Sequence, residues 1–322
     1  MEFQTEIKLK KQEDNQIDYH SKVLLLGSCF SENIGETFEY YKFQNYINPF
    51  GVLFHPKAIE TLVSNALNGK KYTENDIFLN NEQFHCYDAH SRISNPTKSL
   101  VLHQLNAALQ KTNHYLKHAT HVVITLGTAW VYRLQDTKQI VANCHKMPQK
   151  QFDKTLLSVD DILLSLQVIT NQIEKVNPNV NIIFTVSPVR HVKDGFVENT
   201  QSKSHLITAI HQFLHRQSSI KNHKSYYFPA FEIMMDQLRD YRFYKEDMIH
   251  PNAIAIQFIW ERFKEVWISK SAEETIEDVT YIQKGIQHKP FNPKSEAHLK
   301  FIEQLESKKQ LLAIKFPQIK FD

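Results

Sequence analysis

Glycine is scarce in this chain, with 7 residues in 322, and proline is modest at 11. Long flexible linkers draw on both, so disordered linkers are not expected. Cysteine is scarcer still. Cys29, Cys86 and Cys144 cannot make a complete disulfide set, and free thiols suit a reducing compartment. No apolar run approaches the roughly 20 residues that span a bilayer. Met1 to His20 is charged and polar and lacks the apolar centre of a signal peptide. An excess of one charge is also missing. Lys and Arg number 38 and Asp and Glu 35, interspersed, for a net +3, and the 17 histidines add charge only in acid. No nucleic-acid partner and no membrane follow from that balance. The expectation is a soluble cytoplasmic protein.

What is present is enough apolar material, 42% of residues, for one large core or two modest ones. Short apolar runs alternate with helical patterns. Strands are expected at Val23–Leu26, more weakly at Phe43–Ile47, at His121–Leu126, at Asn181–Val186 and at Ser225–Phe228. Helices are expected at Glu32–Lys42 and at Pro56–Leu67, where proline opens the helix and Gly69 closes it. Further helices fall at Lys98–His118, at Ser158 to Asn177 with Asp161 as capping-box partner, at Thr200–Gln217, and from Pro251 to about Ile268. Residues 70–97 interrupt the rhythm, and Ile77–Phe84 reads as a hairpin or an irregular excursion. Val131–Leu134 and Gln139–Ala142 form a second hairpin. Beyond Lys270 the chain turns polar, and Pro290 and Pro293 precede a charged helix at Lys294–Ala313. This alternation predicts an α/β fold, a mostly parallel sheet of about five strands covered on both faces.

Lys22 to Ser31 reads KVLLLGSCFS, a buried strand ending in Gly27-Ser28 before a helix. Open α/β sheets place their chemistry at that carboxyl edge. A serine there serves as nucleophile, or simply as a helix N-cap. Small or polar residues also end other strands: Gly51, Gly127-Thr128 and Ser187. After the last strand comes Asp247-Met248-Ile249-His250-Pro251. A histidine that activates a hydroxyl needs a carboxylate on its other nitrogen, and three residues of spacing at a loop allow it. The plainer reading makes Asp247 the cap of the helix near Pro251 and His250 a polar loop residue.

Gly27-Ser28-Cys29-Phe30-Ser31 resembles the Gly-Ser-Cys-Phe-Ala signature of the GSCFA family, a branch of the SGNH (GDSL-like) hydrolases. Asn48-Pro49-Phe50-Gly51, Thr125 to Ala129, Val186 to His191 and Asp247 to Pro251 are similar to that family's other segments, from about residue 20 to 260. The resemblance implies a flavodoxin-like three-layer α/β/α fold and hydrolysis of an ester or related acyl bond. It makes Ser28 the nucleophile, His250 the base and Asp247 its orienting acid. It puts the N–H groups of Ser28 and Gly51 in the oxyanion hole. The wider superfamily adds an Asn side chain after a glycine. Here Gly127 is followed by Thr128 and Ala129, so either Thr128 is the third donor, through its hydroxyl or its N–H, or the hole has two donors. No metal and no organic cofactor is needed, and the substrate is a small-molecule acyl ester. The expected organisation is a hydrolase domain over 1–270 and a helical extension over 271–322.

Other classes stay open beside this one. They are an acyltransferase using the same site, a catalytically weak SGNH-fold module that binds a ligand, and an amidase or thioesterase using Cys29. His85-Cys86-Tyr87-Asp88-Ala89-His90 has ligand-type residues, yet short clusters of this kind are weak signals for a metal. It reads better as an excursion over the site, with Asp88 and His90 in the substrate pocket. Asn143, Arg190 and His191 are further pocket residues. Arg190 either binds a carboxylate or phosphate of the substrate or pairs with Asp194. Sequence leaves the oligomeric state open.

Overall fold

A computed structural model describes residues 5–218 and 223–321. The first residues of the polar opening segment, 1–4, lie outside them. The chain builds a central sheet from β1 (Lys22–Gly27), β2 (Gln44–Ile47), β5 (His121–Leu126), β9 (Asn181–Val186) and β10 (Ser225–Tyr227). Every pairing in it is parallel, and the order is β10-β9-β5-β1-β2. The β-branched and leucine-rich runs explain this. A strand buried on both faces reads as a continuous apolar run.

Alternate residues feed two cores. Leu24, Leu26, Val122, Ile124, Ile182 and Phe184 face one side. That side is covered by α2 (Pro56–Leu67), α3 (Lys98–His118), α4 (Val159–Val176) and α5 (Phe196–Gln217). Val23, Leu25, Val123 and Ile183 face the other. There lie α1 (Cys29–Tyr40), the short α6 (Ala230–Glu232) running into a π turn at Ile233–Gln237, α7 (Ala253–Trp267), α8 (Lys270–Gln287) and α9 (Glu296–Lys315). This is a three-layer α/β/α sheet fold with a C-terminal helical extension, as expected. Phe38 and Trp260 stack edge to face at 5.1 Å and tie α1 to α7.

The chain leaves β1 towards β2 on one side and later returns to β5, β9 and β10 on the other. The connections therefore part at the carboxyl ends of β1 and β5, which opens a crevice there. Ser28 follows β1 and Gly127 follows β5.

Two excursions border that edge. β3 (Phe78–Asn80) and β4 (Gln83–His85) form the first expected hairpin. The second is larger than expected. β6 (Trp130–Leu134) pairs with β7 (Ile140–Val141) and also with β8 (Phe152–Leu156), giving a three-stranded antiparallel sheet. β8 reads Phe-Asp-Lys-Thr-Leu, with its middle exposed, so it carries too little apolar signal to be seen. α8 also departs from expectation. Its composition is polar, but Ala272, Ile276, Val279 and Ile282 recur at helical spacing and are buried. The helix at 253 is capped by Asn252, whose side chain accepts from the Ala255 N–H at 3.1 Å, and not by Asp247.

Candidate functional site

Gly27 turns the chain out of β1 with φ +133°, and a Cβ there would stand 2.1 Å from the Thr125 carbonyl oxygen. Only glycine fits that approach. Ser28 follows at φ −70° and ψ 174° as the N-cap of α1, and its Oγ accepts from the Phe30 N–H at 3.3 Å. The structure shows the N-cap reading of this serine, and it sets that cap at the switch-point crevice. It is fully buried.

The loop after β2 is latched to this turn. Asn48 Oδ1 accepts from the Gly27 N–H at 2.9 Å, and Leu53 N donates to the Gly27 carbonyl at 2.8 Å. Beyond β5, Gly127 passes close by. A Cβ on Gly127 would lie 3.3 Å from Ser28 Cβ and 3.1 Å from His191 Nε2. His191, which follows β9, thus stands beside the serine across Gly127. Its backbone N–H donates to Asn199 Oδ1 at 2.8 Å, and its ring meets Phe54 edge on at 5.2 Å. Nε2 is buried and has no hydrogen-bond partner among the described residues. Burial pushes the imidazole down to about 3, and Lys203 and His250 push the same way. His191 is therefore neutral across the working range.

Asp247 and His250 form a closed pair. Asp247 Oδ2 accepts from His250 Nδ1 at 2.7 Å, and Oδ1 accepts from the Ile249 and His250 backbone N–H groups at 2.9 Å each. Those backbone bonds and the ring bond hold the carboxyl down to about 2. A carboxylate on Nδ1 leaves the lone pair on Nε2, the tautomer a general base needs. The imidazole is at the surface, with its side chain 39% exposed. Ser28 Oγ and His250 share no hydrogen bond among the described residues.

The expected oxyanion donors are already engaged. The Ser28 N–H donates to Thr125 O at 3.0 Å, that of Gly51 to Asn48 O at 2.7 Å, and that of Thr128 to Phe54 O at 3.0 Å. Thr128 Oγ1 is also engaged, with Ser202 Oγ at 3.1 Å and the Trp130 N–H at 3.0 Å. The family resemblance implies N–H groups at these positions that meet an oxyanion. The strand ends instead spend them on neighbouring carbonyls.

Lys203 was not foreseen. It projects from α5 into the core and donates to Gly127 O at 2.7 Å and Ser187 O at 2.8 Å. Burial pushes its amine down to about 7. The sequence did carry a signal: Lys203 continues the buried stripe of Leu206, Ile210 and Phe213 at helical spacing.

The remaining pocket residues separate. A cleft of about 580 Å³ opens beside the site, walled by Phe54, Thr128, Trp130, Tyr132, Phe152 and His191. Asn143 lines it, with Oδ1 accepting from the His145 N–H at 2.8 Å. Ser28 and His250 are not among its walls; His191, which faces the serine across Gly127, is. Asp88 belongs elsewhere, as a correction to the expected pocket. It accepts from Tyr72 Oη at 3.0 Å and Asn65 Nδ2 at 3.3 Å and lines a separate cavity of about 230 Å³. His90 packs over Gly51, its Cβ 2.5 Å from where a Gly51 Cβ would stand. In the same excursion His85 contacts Ser94 Oγ and Asn80 O, and burial pushes the Cys86 thiol up to about 12. Arg190 does not pair with Asp194, which bonds Lys154 at 2.5 Å.

A family model described as the GSCFA family matches residues 22–263, and one described as GSCFA domain protein, C-terminal domain, matches 279–322. A search of curated proteins found no match. Among solved structures the chain is similar to an acetyl esterase mutant with acetate ion, at 12% identity over 80% of this chain and 99% of that one, TM-score 0.36. A carbohydrate esterase family 3 protein from Talaromyces cellulolyticus gives the same values. An acetyl xylan esterase from the rumen bacterium Butyrivibrio proteoclasticus is 12% identical over 84% of this chain and 65% of that one, TM-score 0.34.

Proposed function

The chain belongs to the GSCFA family, and from that premise we propose that it hydrolyses an ester or related acyl bond at Ser28. The observation that carries this reading is the Asp247–His250 pair at 2.7 Å, in a fold whose first strand delivers a serine to the switch-point crevice. His250 Nε2 takes the proton from Ser28 Oγ as Oγ bonds to the acyl carbon. The carbonyl electron pair moves to oxygen. Collapse expels the alcohol with the proton from His250, and water repeats the sequence on the acyl-enzyme. Asp247 fixes the ring and balances the imidazolium.

Three internal carbonyls hold the backbone donors first expected at the oxyanion. We assign that task to His191, whose neutral ring, with its proton on Nε2, would donate there; this Nε2 has no partner among the described residues and faces Ser28 across Gly127. The substrate is a small-molecule acyl ester, with its larger part in the aromatic cleft. Residues 1–270 act as the hydrolase unit. Those at 271–322 extend it through Leu305, Leu312 and Phe316, which pack into the core on the α1 side. No helix among the described residues is long and apolar enough to cross a membrane.

One observation favours a second reading, a binding module of the same fold. Ser28 Oγ accepts the α1 cap bond and makes no hydrogen bond to His250. A fluorophosphonate probe and a short p-nitrophenyl ester decide between them. The hydrolase reading expects labelling that Ser28→Ala abolishes, and turnover that Ser28→Ala and His250→Ala each lower by on the order of 10⁴ or more. Variants indistinguishable from wild type would end it at these residues. A wild type inert to probe and ester would leave the binding module.

A further inference from the structure

Arg190 carries a charge that no carboxylate answers among the described residues. It follows β9 by four residues and stands half-buried at the carboxyl edge. Its Nη2 reaches Tyr244 Oη at 3.5 Å and Met235 Sδ at 3.7 Å, and its Cζ lies 5.5 Å from the centre of the Tyr244 ring. Neither partner is an anion. Burial raises the Tyr244 phenol above its ordinary value, so it stays neutral beside the guanidinium.

Four acids of the surrounding segments are engaged elsewhere. Asp194 pairs with Lys154, Glu232 accepts from Tyr227 Oη at 2.8 Å, Asp240 faces Arg242 at 3.5 Å, and Asp247 holds His250. Among the described residues no carboxylate forms an ion pair with Arg190. A guanidinium has five N–H donors in a planar fork and does not deprotonate. Leaving it half-buried with two weak contacts is costly unless a ligand completes it.

Its place gives that ligand a role. The next residue is His191, whose Nε2 stands across Gly127 from Ser28. On its other side Arg190 touches Tyr244, which bridges to Pro251, while Lys245 N donates to His250 O at 2.7 Å. Arg190 thus adjoins, in sequence, the histidine that faces Ser28 across Gly127, and in space it lies against the stem of the loop carrying the base. A group on this guanidinium would belong to whatever molecule occupies the site.

We propose that the ester cleaved at Ser28 carries an anionic oxygen group, a carboxylate or a phosphate, and that Arg190 is its receptor. This rests on the hydrolase reading of Ser28 for its chemistry, but the binding half can be tested alone.

Full-length wild type and Arg190→Gln would first be titrated with benzoate and with phenyl phosphate by calorimetry, with circular dichroism to show that both proteins are folded. Hydrolysis of neutral phenyl acetate would then be compared with that of 4-acetoxybenzoate and of 4-acetoxyphenyl phosphate. The proposal expects wild type to bind at least one of the two anions on the order of 10- to 100-fold more tightly than Arg190→Gln does. It expects kcat/KM to favour the ester bearing that anion by a similar factor, with the preference collapsing in Arg190→Gln. Whichever ester shows the preference identifies carboxylate or phosphate. Equal anion binding by wild type and variant, or a preference that survives Arg190→Gln, would overturn it. Anion binding that depends on Arg190 without turnover of any ester would support the receptor and reject the Ser28 chemistry.

Discussion

Lys203 donates its Nζ to the carbonyl oxygen of Gly127 at 2.7 Å, from a side chain buried under the strand ends. A second bond, to Ser187 O at 2.8 Å, makes this amine a strut between the ends of β5 and β9. A neutral amine has two N–H groups and meets two carbonyls, whereas an ammonium would leave one donor over.

Lys203→Met would strand both carbonyls, at a cost of about 1–3 kcal/mol each where they stay dry. The pH dependence separates this from lost packing. The amine is held down to about 7 when folded and returns to its ordinary 10.5 when unfolded. Between those values the unfolded chain binds more protons, so native stability from this group rises with pH and is least below 7. Urea melts from pH 6 to 10 should show wild type gaining on the variant. Parallel curves would refute the assignment.

His191→Ala should lower kcat by on the order of 10²–10³ with little change in KM, the usual result of losing one oxyanion donor. His191→Asn, which keeps an N–H donor, should recover part of that loss. Steady-state kinetics on one neutral ester reads both. Unchanged kcat in His191→Ala would remove this histidine from the mechanism.

Asp247→Asn keeps the shape of the pair but presents an amide to Nδ1 and favours the wrong tautomer. A fall of roughly 10⁴ in kcat is expected. The carboxyl is held down to about 2, so it stays ionised through mild acid. Its stabilising effect is present above the ordinary value near 3.8 and fades only as pH falls towards 2, and its exposure keeps that effect small. An acid limb in the pH–rate profile above pH 4 must then belong to another group. If Asp247→Asn moved that limb without lowering the plateau, the orienting role would be wrong.

Cys29 should be silent. Burial is the main cause raising its thiol above the ordinary range, with Glu32 adding to it and Lys203 opposing it. Iodoacetamide at neutral pH should leave ester turnover intact, and Cys29→Ala should keep most of it. Inactivation that Cys29→Ser abolishes would point to a cysteine enzyme instead.

Much of this was legible in the residues. The strand and helix at His121–Leu126 and Lys98–His118 fall where periodicity put them, because a strand or helix with one apolar pattern has few alternatives. The turn at Ser28 was readable because Gly27 admits no side chain. The closeness of His191 to Ser28 was not, since it depends on two strand ends meeting across Gly127 from distant parts of the chain. The engagement of the Ser28, Gly51 and Thr128 N–H groups was also hidden. Their acceptors, Thr125, Asn48 and Phe54, are backbone carbonyls, which any residue carries. β8 was missed because a strand on a small surface sheet has little apolar pattern to show.

The order of strands has a consequence for how the chain is made. β1 sits between β2 and β5, so Leu25 pairs early with Ile47 but must wait for Val123 on its other edge. That partner leaves the ribosome on the order of 100 residues later, several seconds at ordinary rates of synthesis. For that interval the edge that later meets β5 is an open apolar strand, and the Gly27-Ser28 turn at its tip has nothing to close against. A nascent chain arrested before His121 should therefore engage chaperones strongly, and one extended past Val186 should release them.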